Sequence, residues 1–192
     1  MPKVIYLTGA PAAGKSSTTR LLAEKIPDLL IWEYGARLTE YLNDRCSTVQ
    51  SQEDLRSQSA GLVTPSDVAE VDKLLATFVD NHRSARPIII DSHPVTKEAY
   101  GYRITAFSFE QIARLKPDEI WVVFASPEET RKRIANDPGG RPMISDQEAR
   151  MHTGLQASVA TTYGIITGSP VYLFDTGLPR ETLIERMLGR LS

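Results

Sequence analysis

Eight residues, Gly9-Ala10-Pro11-Ala12-Ala13-Gly14-Lys15-Ser16, spell the pattern GxxxxGK[ST], whose chemistry is that of a phosphate cradle. The two glycines let backbone N–H groups turn inward onto phosphate oxygens. Lys15 reaches the β- and γ-phosphates and the Ser16 hydroxyl ligates Mg2+. The positive end of the helix that follows favours the anion. Gly9 to Ser17 are therefore expected to hold ATP with Mg2+, and Lys15 to act catalytically through its charge.

Other side chains fit phosphoryl transfer. Ile88-Ile89-Ile90-Asp91 is an apolar run ending in a carboxylate, the Walker B pattern. Asp91 either serves the metal side, through Ser16 or a metal-bound water, or caps a turn; beside a Walker A string the metal role is the expectation. His93, two residues on, either orders its loop or touches a phosphate. Arg37 is placed to face an acceptor phosphate from the start of a helix, or else is a solvated surface charge. Arg56 is a weaker candidate of the same kind. Arg131, Arg133, Arg141 and Arg150 surround a Pro-Gly-Gly-Arg-Pro hinge, a transition-state clamp in which Arg133 and Arg141 are the first choices. No motif for covalent catalysis accompanies them, and transfer by positioning needs none.

The elements that must hold these groups alternate. Val4-Ile5-Tyr6-Leu7, Leu29-Leu30-Ile31-Trp32, Ile88-Ile89-Ile90 and Ile120-Trp121-Val122-Val123-Phe124 are continuous apolar runs, as strands covered on both faces require. Strands are expected at 3–8, 28–33, 87–91, 119–124 and 170–174. Helices are expected at 15–26, 35–44, 66–83, 109–115, 127–136, 145–166 and 180–190, with capping signals at Thr64-Pro65-Ser66 and Ser126-Pro127-Glu128-Glu129. The fold class is α/β: a doubly wound, five-stranded parallel sheet of the P-loop NTPase, nucleotide-kinase type. One domain spans 1–192, with core segments 1–34, 84–136 and 145–192, a helical acceptor-binding insert at 35–83 and a lid loop at 137–144. Such an insert and lid would shield the transferred group from water while two anionic substrates are held in line.

Composition narrows the class. The chain has 192 residues and a net charge of −2, so no basic field suits direct nucleic-acid binding. Fifteen arginines against seven lysines fit phosphate handling or a bias in base composition. The single cysteine, Cys46, fits a reducing compartment. No apolar run reaches the roughly 18 residues of a membrane span, and the expected location is cytoplasmic.

Taken together, the chain resembles the archaeal-type adenylate kinases, a branch of the P-loop nucleoside monophosphate kinases. The resemblance rests on the Walker A string, on Tyr34-Gly35 ahead of the acceptor helix, and on Asp91-Ser92-His93. It continues through Gly101-Tyr102, Leu115-Lys116-Pro117-Asp118-Glu119-Ile120, Pro127 to Arg133, His152, Tyr163 and Thr167-Gly168. It implies Mg2+-dependent transfer, ATP + NMP = ADP + NDP, with AMP as default acceptor and Tyr34 and His93 on the acceptor side. The chain departs from that pattern in three places. Gln156-Ala157 stands where the family carries an asparagine-arginine pair, the lid is less basic, and Arg37 replaces a small or aliphatic residue. Two alternatives follow: a P-loop kinase of another small metabolite, or an ATPase switch or assembly factor on the same fold.

Overall fold

The computed structural model describes residues 1–45 and 63–191. Among them the chain runs β1 (Val4–Thr8), α1 (Lys15–Lys25), β2 (Leu30–Glu33), α2 (Tyr34–Arg45), α3 (Pro65–His82), β3 (Ile88–Asp91), β4 (Val95–Glu98) and β5 (Gly101–Ile104). It continues through α4 (Phe109–Leu115), β6 (Glu119–Phe124), α5 (Pro127–Ala135), α6 (Asp146–Thr167), β7 (Val171–Asp175) and α7 (Arg180–Leu191).

Five strands form one parallel sheet in the order β2-β3-β1-β6-β7. β1 is central, flanked by β3 and β6, so the segment after it emerges where the winding reverses, the usual ligand site of such sheets. The expected alternation along β1 sorts the core into two layers. Tyr6, Trp32 and Ile90 face Val71 and Leu75 of α3, Ile112 of α4 and Tyr163 of α6. Ile5, Leu7 and Ile89 face Leu22 of α1 and Leu183, Ile184 and Met187 of α7.

Local signals start the helices as expected. Thr64 caps α3, accepting from the Asp67 amide while the Asp67 carboxylate accepts from the Thr64 amide. Ser126 caps α5 through the Glu129 amide.

One element lies beyond the five expected strands. Val95–Glu98 and Gly101–Ile104 form an antiparallel hairpin beside the main sheet, turning at Ala99-Tyr100. Its strands carry no apolar run; α6 holds them, with the Tyr102 hydroxyl donating to the Glu148 carbonyl at 3.0 Å. Element ends otherwise shift by a residue or two, β2 beginning at Leu30 and β7 closing at Asp175. Among the described residues no helix is long and apolar enough to cross a membrane.

Candidate active site

The cradle is built from close approach and left-handed backbone. A side chain at Gly9 would bring its Cβ to 2.4 Å from the Val123 carbonyl oxygen, so only glycine passes there against β6. Ala12 (φ 61°) and Gly14 (φ 93°) both lie in the left-handed region, a conformation that points successive N–H groups into one concavity. Gly14 occupies the N-cap of α1 and has no side chain to cap it, which leaves the first amides of the helix aimed at an anion. Lys15 folds back over this loop, its Nζ donating to the Gly9 carbonyl at 2.9 Å. Ser16 and Ser17 are exposed on the first turn of α1.

Asp91 ends β3 beside the cradle, in register with Leu7 of β1 and Glu33 of β2, so the two carboxylates project from the same sheet face as α1. Burial pushes the Asp91 carboxyl above the ordinary range; the charge of Lys15 pulls it down and that of Glu33 pushes it up. A divalent cation held by Asp91 and the Ser16 hydroxyl would relieve the repulsion between the two carboxylates.

Arg133 is the structural hub of the donor side. Its Nη1 donates to Thr176 Oγ1 at 2.8 Å and to the Ala12 carbonyl at 3.2 Å, and its Nη2 donates to the Thr176 carbonyl at 2.9 Å. Glu129 accepts from its Nε at 2.9 Å. The guanidinium thus ties the cradle to the turn after β7. Next to it lies a cleft of about 340 Å³ lined by Ser17, Leu21, Arg133, Thr176 and Arg180. Thr176 and Arg180 carry no motif signal; only their position after β7, at the end of a strand that flanks the cradle side of the sheet, could have marked them.

The lid arginines are each set against a carboxylate. Arg141 meets Asp137 at 2.6 Å, Arg131 meets Asp146 at 3.2 Å and Arg150 meets Asp146 at 4.0 Å. Arg131 and Arg150 are exposed, whereas the Arg141–Asp137 pair is half-buried.

On the opposite side, the Tyr34 hydroxyl donates to buried Asp72 at 2.7 Å and its ring packs on Phe107. Burial and the neighbouring Asp72 charge push that phenol well up, and burial also raises the Asp72 carboxyl. Tyr34 therefore joins α2 to α3. His93 is exposed and stands next to Gly35 at the head of α2. Arg37 is exposed, paired with Glu40 at 2.8 Å and lying 5.3 Å over the Trp32 ring. Arg56 falls outside the described residues. The structure thus gathers Lys15, Asp91 and, unforeseen, Glu33, with Ser16 next to Lys15 on α1; it sets Arg133 beside the cradle and leaves Arg37 and Arg141 on local partners.

Residues 8–151 match a protein family described as AAA domain. The adenylate kinase of Thermococcus onnurineus is 24% identical over 177 residues, covering 91% of this chain and 87% of its own. The adenylate kinase of Pyrobaculum aerophilum is 26% identical over 149 residues, covering 77% of this chain and 72% of its own. Among solved structures, an unliganded sugar kinase from Janibacter superposes with a TM-score of 0.57 at 19% identity, covering 98% of this chain and 94% of that one. A shikimate kinase from Acinetobacter baumannii in complex with shikimate gives 0.56 at 13%, covering 99% and 93%. These structures share the P-loop kinase fold.

Proposed function

We propose, from the premise that the chain belongs to the AAA domain family, that it transfers the γ-phosphoryl group of ATP to a small acceptor. The observation that carries this reading is the cradle of Gly9 to Ser17, with Lys15 folded over it and Asp91 beside it. In this reading the amides from Ala10 to Ser17 bind the phosphates and Lys15 leaves the Gly9 carbonyl for the β- and γ-oxygens. Ser16 and Asp91 hold the Mg2+ side, and the cleft beside Arg133 takes the nucleoside. Bound Mg2+ neutralises charge developing on the transferring group. Arg133 holds the loop in shape, and Arg141 exchanges Asp137 for phosphate as the lid closes. The single cysteine and the use of ATP support a cytoplasmic location.

The names of the curated relatives support a nucleoside monophosphate as acceptor, AMP first, with Tyr34, Arg37, Arg56 and His93 on its side. One observation favours a second reading. Glu33 stands in register with Asp91 at the ends of β2 and β3, and Arg37 is already paired with a carboxylate. With Asp91 on the metal side, the exposed Glu33 would add negative charge against a dianionic phosphate, whereas a neutral hydroxyl would find a proton acceptor in it. The discriminating experiment incubates the protein with Mg-ATP and a panel of nucleoside monophosphates, gluconate, shikimate and glycerol, and compares ADP formation with an acceptor-free control. Stimulation by AMP supports the first reading and stimulation by a hydroxyl compound the second. Hydrolysis that no acceptor increases would instead support an ATPase switch.

A further inference from the structure

Gln156, the first residue of the Gln156-Ala157 pair that stands where the adenylate kinase pattern has asparagine-arginine, is fully buried and makes a polar bridge across three parts of the molecule. Its Oε1 accepts from Thr8 Oγ1 at 3.0 Å, and its Nε2 donates to the Val95 carbonyl at 3.3 Å. His152, one turn earlier on α6 and also buried, places Nε2 at 3.0 Å from the same carbonyl oxygen. The orientation of this amide is dictated by its partners. A carbonyl can only accept, so the nitrogen must face Val95, the oxygen must face Thr8, and the Thr8 hydroxyl must be the donor.

Each partner is one step from the proposed chemistry. Thr8 is bonded to Gly9, whose carbonyl receives Lys15 at 2.9 Å. Val95 begins the hairpin that follows Asp91-Ser92-His93, and the Ser92 amide donates back to the Leu7 carbonyl at 3.1 Å. The segment carrying Asp91 is thereby clamped between β1 and α6. α6 itself leads out of the lid loop. A buried donor or acceptor left unmatched is expensive, so the bridge favours one relative placement of cradle, Asp91 loop and post-lid helix.

We propose that Gln156 is a positioning residue for phosphoryl transfer: by holding Thr8 and Val95 at its two ends it fixes Lys15 and Asp91 relative to each other. The proposal rests on the phosphotransferase reading and adds to it a named coupling between cradle and hairpin.

The test compares Gln156→Met, Thr8→Val and the double variant, each measured for ADP formation with the best acceptor of the panel, for Mg-ATP KM and for melting temperature. Each single variant is expected to lose ten- to a hundredfold in kcat with the ATP KM within threefold, and the double variant to lose no more than the worse single. Thr8→Ser, which keeps the hydroxyl, should recover most of the rate. Gln156→Glu adds a signature that a packing role would not give. Its acid form can donate to Val95 and accept from Thr8, so its kcat should approach wild type at low pH and fall as the acid ionises. Wild-type profiles recorded in parallel account for the nearby Lys15, Asp91, Lys97 and His152. Losses that multiply in the double variant, or lowered melting temperatures with unchanged kcat, would overturn the proposal. Should Gln156→Met fail to fold, Thr8→Val and Gln156→Glu decide alone. Should wild type show no acceptor-dependent turnover, the phosphotransferase reading fails by itself. The bridge is then judged by amide exchange at residues 8–15, which both variants should accelerate at least tenfold and which unchanged exchange would contradict.

Discussion

Arg133 and Thr176 meet twice, side chain to side chain at 2.8 Å and guanidinium to carbonyl at 2.9 Å, and the same guanidinium reaches the Ala12 carbonyl of the cradle. An arginine that the hinge pattern marks as a clamp for the transition state is a tie-bar for the loop that would hold the phosphates. Arg133→Ala should therefore weaken Mg-ATP binding as well as turnover, by about tenfold in Kd, or ~1.4 kcal/mol. Lysine at this position keeps the charge but not the fork, and should recover less than half of that energy. Titration calorimetry with Mg-ATP measures both; an unchanged Kd would leave Arg133 a role in turnover only.

The space around two glycines predicts opposite outcomes. Gly9→Ala forces a Cβ to 2.4 Å from the Val123 carbonyl, and relief requires parting β1 from β6. A loss of about 1–3 kcal/mol in urea unfolding is expected, as for other overpacked cores. Gly154 sits inside α6 with nothing within 4 Å of its would-be Cβ. Gly154→Ala should gain up to about 1 kcal/mol through helix propensity.

Much of the site could be read from the chain because its signals are local. The glycine spacing, the apolar strand closed by Asp91 and the caps at Thr64 and Ser126 each encode their conformation within a few residues. The hairpin at Val95 to Ile104 does not: its strands mix Thr, Lys, Glu and Arg, and what holds them is Tyr102, His152 and Gln156 reaching to or from α6, contacts that join residues more than forty positions apart. Gln156 illustrates the limit. Against the adenylate kinase pattern Gln156-Ala157 reads as a missing asparagine-arginine pair, whereas the burial and the two partners of Gln156 give it a place of its own. Glu33 carries no motif either; it matters because β2 runs in register with β3.

Charge in the lid predicts a salt-dependent gain. Asp146, at the start of α6, pairs with both Arg131 and Arg150, so a phosphate drawn to these arginines would compete with it. Asp146→Asn should tighten Mg-ATP binding two- to fivefold at low ionic strength, with the difference vanishing near 0.5 M salt as screening shortens the reach of exposed charges. An effect independent of salt would count against the competition.

Two acid windows should appear in stability. Burial holds the His152 pKa below its ordinary 6.5, so the unfolded chain binds its proton more readily and stability falls as pH drops below that value. Glu148 is held down at about 2, chiefly by its hydrogen bond with Lys97 and then by Ser145, so its contribution is complete above its ordinary 4.5 and is lost as pH falls towards 2. Urea unfolding from pH 7 to 2 should show both slopes. Asp67, Glu110 and Glu119 are also held below their ordinary range and share the lower window, so Glu148→Gln should reduce the lower slope without abolishing it and leave the upper; a lower slope equal to wild type would remove Glu148 from it.

If the cradle from Gly9 to Ser17 drives phosphoryl transfer from ATP, the γ-phosphoryl group itself can be followed. Wild-type protein and Lys15→Ala are incubated with Mg2+ and ATP labelled at the γ-phosphate, with and without the acceptor panel. Label should appear in an acceptor product with wild type and fall by about a hundredfold or more in Lys15→Ala, the ~3 kcal/mol scale of one preorganised charge at a transition state. Label released only as inorganic phosphate, or transfer undiminished in the variant, would contradict that role of the cradle.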